Sequence, residues 1–247
     1  MLIAGLQKMS LIDYPNKMTA IIFTVGCNFD CAYCHNKDLF KDKNIKDRLI
    51  SEKEIFEFLN KRKNILEAVT ITGGEPTLHK DLPDFINRIK KLGFLVKLDS
   101  NGTNPVMLKE LVNKKLVDYA AVDIKAPFNN EKYKKIVQVD CSNFLKNISE
   151  SVEFLLKDRI DFEFRTTLTK GLLTQGDIVD IVKKIKNNRI YYLQNFVFPE
   201  KQEFKNMDEN GEVVYNKLKK LKPMENSDLE QLRNIIEKMG QKCEIRN

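Results

Sequence analysis

Short apolar runs rich in β-branched residues alternate along this chain with longer amphipathic stretches, a pattern typical of alternating strands and helices. Strands that alternate with helices usually pair in parallel, with the helices covering the sheet. Six segments are candidate strands: Thr19–Thr24, Ala68–Thr72, Leu95–Asp99, Tyr119–Ile124, Phe162–Thr167 and Tyr191–Phe198. Six such units are too few for a closed eight-stranded barrel. The sequence therefore predicts an α/β fold built on an open parallel sheet.

Local helix signals agree with this pattern. Ser51 and Glu54 form a capping-box pair at the start of one amphipathic stretch, and Gly93 provides a C-terminal stop for the next. Near the end of the chain, NSDLEQLRNIIEKMG predicts an amphipathic helix that is capped by Asn226 or Ser227 and ends at Gly240.

The pattern changes near residue 200, where the chain becomes polar and turn-rich and lacks strand signals. A length of 247 residues allows one α/β domain or two small ones, and the pattern indicates no second domain. We expect a single domain over residues 1–247, with a core at about 16–199 and a helical C-terminal extension at about 200–247.

The charge balance is moderately basic, with 42 Lys and Arg residues against 35 Asp and Glu and a net charge of +7. The lysines are scattered through helix-like segments, which is typical of a solvated surface. Attraction to an acidic partner or to nucleic acid stays open, and nucleic acid is the less favoured partner. No apolar run approaches the ~20 residues that span a bilayer, and no signal-peptide pattern is present. We expect a cytoplasmic protein without a membrane partner.

Three cysteines lie directly after the first predicted strand, in the stretch GCNFDCAYCHN. Cys27, Cys31 and Cys34 are spaced C-x3-C-x2-C. Three thiolates can hold three irons of a [4Fe–4S] cube and leave the fourth iron without a protein ligand. An open metal position is typical of chemistry, whereas a closed four-ligand site usually serves structure or electron transfer. This spacing therefore predicts a reactive iron–sulfur site.

Two other interpretations of these cysteines are weaker. A zinc site could use His35 as a fourth ligand, but zinc sites usually show a second ligand pair a dozen or more residues away, and none follows here. A disulfide framework is disfavoured because a chain of this length can build its core without covalent links. Cys141 and Cys243 are far apart in sequence and are interpreted as ordinary residues, so one cluster is expected.

These motifs resemble those of the radical S-adenosylmethionine (SAM) enzymes. In that family C-x3-C-x-aromatic-C carries the cluster, with Tyr33 in the aromatic place here, and a GGEP motif follows, here Gly73–Pro76. The chain is most similar to activating enzymes of glycyl-radical proteins, in particular those of anaerobic ribonucleoside-triphosphate reductase. The likeness covers roughly the first two thirds of the chain, in the segments SLIDYPNKMTAIIFTVGCNFDCAYCHN, VTITGGEPTLHKDL, GFLVKLDSNGTNP, LVDYAAVDIKAP and FEFRTTLT.

The resemblance implies a fold, two cofactors and a protein partner. The fold is a partial (βα)6 barrel, open on one side to admit a macromolecular substrate. The cofactors are one [4Fe–4S] cluster and SAM, whose reductive cleavage yields a radical that abstracts hydrogen from a partner's glycine Cα. A flavodoxin- or ferredoxin-type protein would supply the electron. The alternatives are a radical SAM enzyme acting on a small molecule or nucleic-acid base, and a non-catalytic iron–sulfur or zinc protein.

Polar residues recur at the predicted strand ends, where α/β folds of this kind gather their chemistry. Gly73 and Gly74 fit a turn that lets the backbone approach the methionine part of SAM closely. Glu75 either shapes this loop or contributes to the site of the SAM amino group. Asp99 suits that ammonium group better, because a strand-end carboxylate can accept its hydrogen bonds, and its alternative role is to cap the turn.

The nucleoside side of the site is expected around two loops. Ser100 and Asn101 hydrogen-bond the ribose or methionine, or simply make the turn DSNG. Tyr33 is placed to pack beside the adenine, with the backbone of Cys34 and His35 nearby. The role of His35 is the weaker assignment, since it could instead order the loop.

Two cations and a carboxylate complete the expected site. Lys125 suits the SAM carboxylate, and Asp123 points to the same face of the strand two residues earlier and would hold that lysine. Family members carry a matching D-x-K, although a surface ion pair is the alternative. Arg165 lies in an apolar strand, where an unpaired charge is unfavourable, so it needs either SAM or a structural carboxylate as its partner.

Overall fold

A computed structural model of the protein describes residues 1–37, 45–186, 189–198, 216 and 218–246. Its eight strands form one sheet in which each strand pairs with its neighbour in sequence. They are β1 (Ile3–Ser10), β2 (Thr19–Thr24), β3 (Ala68–Gly73), β4 (Leu95–Ser100), β5 (Tyr119–Asp123), β6 (Asp161–Leu168), β7 (Tyr191–Asn195) and β8 (Cys243–Arg246). Strand β1 is antiparallel to β2, and all later pairs are parallel. The six predicted strands are β2 to β7, and the open parallel α/β fold is confirmed.

Seven helices accompany the sheet in the described residues. They are α1 (Glu52–Arg62), α2 (Leu82–Lys91), α3 (Pro105–Asn113), α4 (Asn130–Val137), α5 (Leu145–Leu155), α6 (Gln175–Ile185) and α7 (Asn226–Lys238). Two 3₁₀ helices span Ile45–Arg48 and Pro76–Leu78. No helix in the described ranges is long and apolar enough to cross a membrane.

Most of the predicted helix boundaries are confirmed, and one cap is wrong. The capping box of Ser51 and Glu54 begins α1, and Gly93 and Gly240 adopt positive φ angles of 94° and 83° just after α2 and α7. The N-cap of α7, however, is Glu225, which makes no side-chain capping bond. The predicted caps, Asn226 and Ser227, lie inside the first turn, because the turn closes one residue earlier than the cap signal indicated.

Two strands were not expected from the sequence. β1 has an irregular burial pattern with three consecutive exposed residues, and β8 is only four residues long. Both are edge strands. β1 pairs with β2 across two register shifts, which interrupt the alternation of its side chains, and β8 is too short to show one. The polar stretch predicted to lack strands falls mostly on residues 199–215, outside the described residues.

The two faces of the sheet differ sharply in chemistry. One register row contains Ile22, Ile71, Leu98 and Ala120, which are fully buried in the main core with residues of the helices. Alternate residues point to the opposite face. That opposite face is the inner face of the partial barrel. It holds Lys97, Arg165 and the strand-end carboxylates, so it carries buried charge.

An aromatic pair covers the lower end of this inner face, which is the end at which the parallel strands begin. Tyr14, in the loop after β1, packs its ring 5.6 Å from that of Tyr119 on β5, and a small separate core joins them with Ala68. Tyr14 is 7% exposed, whereas Ile12 in the same loop is 84% exposed. The SLIDYP segment thus contributes a plug at the barrel's lower end.

We expect Tyr14→Ala to lower the free energy of unfolding by about 3 kcal/mol, because it removes a buried aromatic ring. Ile12→Ala, in the same loop but exposed, should change it by less than about 0.5 kcal/mol. Urea denaturation followed by circular dichroism measures both. Equal effects from the two variants would contradict the plug.

Candidate active site

The cysteine loop follows β2 and is held by backbone contacts with the end of α4. The backbone N–H groups of Asp30 and Ala32 donate to the carbonyl oxygens of Val137 and Ile136, at 2.9 and 2.8 Å. Lys37, almost fully buried, lies 2.8 Å from a carboxylate oxygen of Asp30. The loop that carries the three cysteines is therefore fastened to the helical layer as well as to the sheet.

The three thiols lie in a largely water-excluded setting. Cys31 is buried and the other two are half-buried, and no disulfide joins them. Burial raises the pKa of Cys27 to about 12 and that of Cys34 to about 11, and it raises the pKa of Cys31 as well. Metal binding at these sulfurs must therefore release protons. Among the described residues, no group of three or more His, Cys, Asp or Glu is gathered closely enough for a single metal ion.

Glu75 of the GGEP motif organises the neighbouring loops. Its buried carboxylate accepts hydrogen bonds from Thr77 N at 3.1 Å, Ser100 Oγ at 2.9 Å and Asn101 N at 2.7 Å. Burial raises the pKa of Glu75, and these donors work against that shift. This arrangement matches the loop-shaping role, because the carboxylate joins the end of β3 to the end of β4.

The two glycines of GGEP allow an unusually close backbone contact. Gly73 has a φ of 117°, and a Cβ on Gly74 would lie only 1.8 Å from the carbonyl oxygen of Gly26. That carbonyl also accepts from Glu75 N at 2.7 Å, and Thr24 O accepts from Gly74 N at 3.0 Å. The glycines thus let the GGEP loop lie directly against the cysteine loop. The sequence predicted a close backbone approach to a ligand and did not predict this contact between the two loops.

A chain of side-chain amides links the cysteine loop to the DSNG turn. Asn101 Nδ2 donates to Asn28 Oδ1 at 2.7 Å, and Asn28 Nδ2 donates to Thr103 Oγ1 at 2.8 Å. Ser100 donates to Glu75. These contacts support the turn-making alternative for Ser100 and Asn101. Asn28 and Thr103 were not anticipated, although each lies within or beside a motif that was singled out.

An alternating chain of charges crosses β4, β5 and β6. Arg165 Nε lies 2.7 Å from Asp123 Oδ1, and its Nη2 lies 3.3 Å from Asp99 Oδ2. Lys97 Nζ is 2.9 Å from Asp99 Oδ1, and Lys125 Nζ is 3.4 Å from Asp123 Oδ2. Burial works to raise the pKa values of both aspartates, but the cations outweigh it and hold these pKa values below the usual range. Arg165 is therefore paired with two strand-end aspartates.

One cavity of about 350 Å³ brings the whole expected site together. All fourteen residues assigned from the sequence line it: Cys27, Cys31, Tyr33, Cys34, His35, Gly73, Gly74, Glu75, Asp99, Ser100, Asn101, Asp123, Lys125 and Arg165. The sequence reasoning missed a further side of the cavity, formed by Asn36, Thr72, Thr167, Gln194, Asn195, Phe196 and Val197. Three of them, Thr167, Gln194 and Asn195, lie in the parallel register of β6 and β7, which no motif signals.

The residues present fit a cluster and a zwitterionic ligand. The Tyr33 hydroxyl is buried without a hydrogen-bond partner among the described residues, and Tyr33 lines the cavity. Among the described residues, Lys125 makes one long ion-pair contact, with Asp123 at 3.4 Å, and keeps donor capacity for a carboxylate. Three thiols, the Asp99 carboxylate and the Lys125 ammonium group thus line the same space.

We expect Gly74→Ala to push the GGEP loop away from the cysteine loop, because its Cβ would overlap Gly26 O. The free energy of unfolding should fall by about 1–3 kcal/mol, and the iron content after reconstitution should fall with it. Gly176→Ala is the control, since its Cβ would meet Thr174 Oγ1 at 3.7 Å and an added methyl favours α6. Wild-type iron loading in Gly74→Ala would contradict this role.

Comparison with known proteins places the chain among relatives with the same motifs. The radical SAM superfamily model matches residues 21–154. A Methanocaldococcus jannaschii protein, provisionally named a glycyl-radical enzyme activating enzyme, is 39% identical over 202 residues, covering 79% of this chain and 80% of its own. The 7-carboxy-7-deazaguanine synthase of Clostridium acetobutylicum is 28% identical over 176 residues, covering 71% of this chain and 72% of its own.

A solved structure supports the fold. A domain of pyruvate-formate lyase-activating enzyme from Bacteroides vulgatus superimposes with a TM-score of 0.52 at 17% identity, covering 73% of this chain and 99% of that one. The architecture is thus that of the open partial barrel that the resemblance implied. The chain belongs to the radical SAM superfamily of enzymes, whose members use a [4Fe–4S] cluster and S-adenosylmethionine.

Proposed function

We propose that this enzyme is a glycyl-radical enzyme activating enzyme, which uses SAM to place a radical on a glycine of a partner protein. The observation that carries the proposal is the convergence of three cysteines and the strand-end charges on one cavity, in a chain 39% identical to a relative of that name. When bound, the reduced cluster and SAM supply a radical able to take a hydrogen atom from substrate carbon.

The chain's own residues bind and orient. Cys27, Cys31 and Cys34 would hold the cluster through their thiolates. Lys125 would receive the SAM carboxylate with its spare donors, and the Asp99 carboxylate would accept from the ammonium group beside its contacts with Lys97 and Arg165.

The nucleoside and the loop residues complete the assignment. Tyr33, whose ring lies 5.9 Å from Lys125 Nζ, packs beside the adenine, with Cys34 and His35 adjacent. His35 is itself held edge-on against Phe196 at 5.4 Å. Gly73, Gly74, Glu75, Ser100, Asn101, Asp123 and Arg165 shape the cavity wall and set the positions of the ligand-binding groups.

The side of the cavity at the ends of β6 and β7 is left for the substrate. Thr167 and Gln194 are register partners there, and no described residue forms a hydrogen bond with either side chain. Val197 beside them is 55% exposed. An amide and a hydroxyl can hydrogen-bond a peptide backbone, which suits a glycine-bearing loop better than a charged nucleotide.

The partner and setting are the finer parts of this proposal. Anaerobic ribonucleoside-triphosphate reductase is the proposed partner, and a flavodoxin- or ferredoxin-type protein is the proposed electron donor. A cytoplasmic, reducing location suits an oxygen-sensitive cluster. The single-domain organisation, with a core at 16–199 and an extension from about 200, belongs to the same proposal.

We expect anaerobic reconstitution to give about four irons and four sulfides per chain, and Cys31→Ala to abolish them. Tight zinc without iron–sulfur absorption would contradict the cluster.

Lys125→Ala should keep the cluster but weaken SAM binding about tenfold or more, because it removes a charge-assisted contact. The control is Lys114→Ala, which changes an exposed lysine. Equilibrium dialysis with labelled SAM measures the affinity.

We expect the reduced enzyme, mixed with SAM and a glycyl-radical candidate encoded nearby in the genome, to produce an electron paramagnetic resonance doublet on the candidate. The doublet arises from coupling to the remaining Cα hydrogen, so it should collapse when glycine is deuterated at Cα. Replacing the target glycine of the partner with alanine is the control.

Two results together would contradict the glycine substrate. The first is absence of the doublet with every encoded candidate. The second is 5′-deoxyadenosine formation driven by a nucleotide or RNA in place of the partner protein.

A further inference from the structure

A second layer of charge lies on the inner face below the cavity residues. Glu163 on β6 is fully buried, and Arg246 on β8 forms a two-pronged contact with it, at 2.8 and 2.9 Å from its two carboxylate oxygens. The Tyr119 hydroxyl donates to the same carboxylate at 2.9 Å. A bidentate contact between an arginine and a carboxylate is among the strongest charge-assisted contacts in proteins.

Arg246 also stacks on an aromatic ring. Its guanidinium carbon lies 3.4 Å from the ring centre of Tyr192 on β7, in stacking contact. The strand register places Arg246 beside Gln194, which lines the cavity. β8, β6 and β7 all lie outside residues 21–154, the part matched by the superfamily model.

Glu163 competes for the arginine that orders the cavity. Arg165 Nη1 is 3.7 Å from Glu163 Oε1, whereas the other two nitrogens of its guanidinium group face Asp123 and Asp99. In a medium of low dielectric, an uncompensated Glu163 would attract Arg165 strongly. Arg246 supplies the compensation, so Arg165 can remain directed at the two aspartates.

The charge count of this network points the same way. The ion-paired groups are four cations, Lys97, Lys125, Arg165 and Arg246, and three carboxylates, Asp99, Asp123 and Glu163. The surplus is one positive charge, which suits an anionic ligand group at the cavity. Loss of Arg246 would remove that surplus.

We propose that Arg246 is a positioning residue for SAM: it neutralises Glu163, keeps Arg165 on Asp99 and Asp123, and so leaves Lys125 free to receive the SAM carboxylate. This role of Arg246 involves only the superfamily's cofactor and is independent of the identity of the glycyl-radical partner.

The test is SAM affinity of the reconstituted protein, measured by equilibrium dialysis beside the iron content and the thermal unfolding midpoint. Arg246→Gln should bind SAM at least about tenfold more weakly at unchanged iron content, since it leaves a buried carboxylate unpaired. Arg246→Lys keeps the charge and should retain most of the affinity. Lys242→Gln, which changes an exposed side chain just before β8, should bind SAM as wild type does.

The decisive arm is the double variant Glu163→Gln/Arg246→Gln. It removes both charges of the pair, so Arg165 keeps its aspartate partners and SAM affinity should recover to within about threefold of wild type. Wild-type affinity in Arg246→Gln would overturn the proposal. Equal weakness in the single and double variants would also overturn it, because Arg246 would then act by supporting β8 rather than by its charge.

Discussion

The carbonyl oxygen of Gly26 lies only 1.8 Å from the place that the Cβ of any other residue at position 74 would take. This backbone contact seats the cysteine loop on the end of β3, and the hydrogen bond from Glu75 N to the same carbonyl fixes its position. Glu75 then reaches across to the DSNG turn. The relative positions of the thiols and the strand-end polar groups therefore depend on two glycines, Gly73 and Gly74.

Electrostatics govern the opposite wall of the site. The inner face buries alternating charges, which is tolerable in a low-dielectric environment only when each charge is matched. Arg165 is the central member, because it contacts Asp99, Asp123 and Glu163 at once. The position of the Arg165 guanidinium group therefore depends on the balance of its attractions to three carboxylates, and it is sensitive to a change at any one of them.

The openness of the barrel connects the fold to its proposed activity. β1 and β8 are the sheet edges, and the parallel strands between them bring every strand-end residue to one rim. A closed barrel would surround the cavity on all sides. An open one leaves the side at the ends of β6 and β7 accessible. The side chains of Thr167 and Gln194 lie there and form no hydrogen bond with any described residue. Such an opening suits the proposed protein substrate.

The sequence by itself determined the six parallel strands and fourteen of the residues that line the cavity, the three cysteines among them, because strand periodicity and short motifs are local properties of the chain. It missed β1, β8 and the cavity side formed by Gln194 and Phe196, since an irregular or very short strand and cross-strand register leave no local signal. It also left the partner of Arg165 open. Only the tertiary structure decided that, because charges far apart in sequence, from Asp99 to Arg246, become neighbours only when the sheet is assembled.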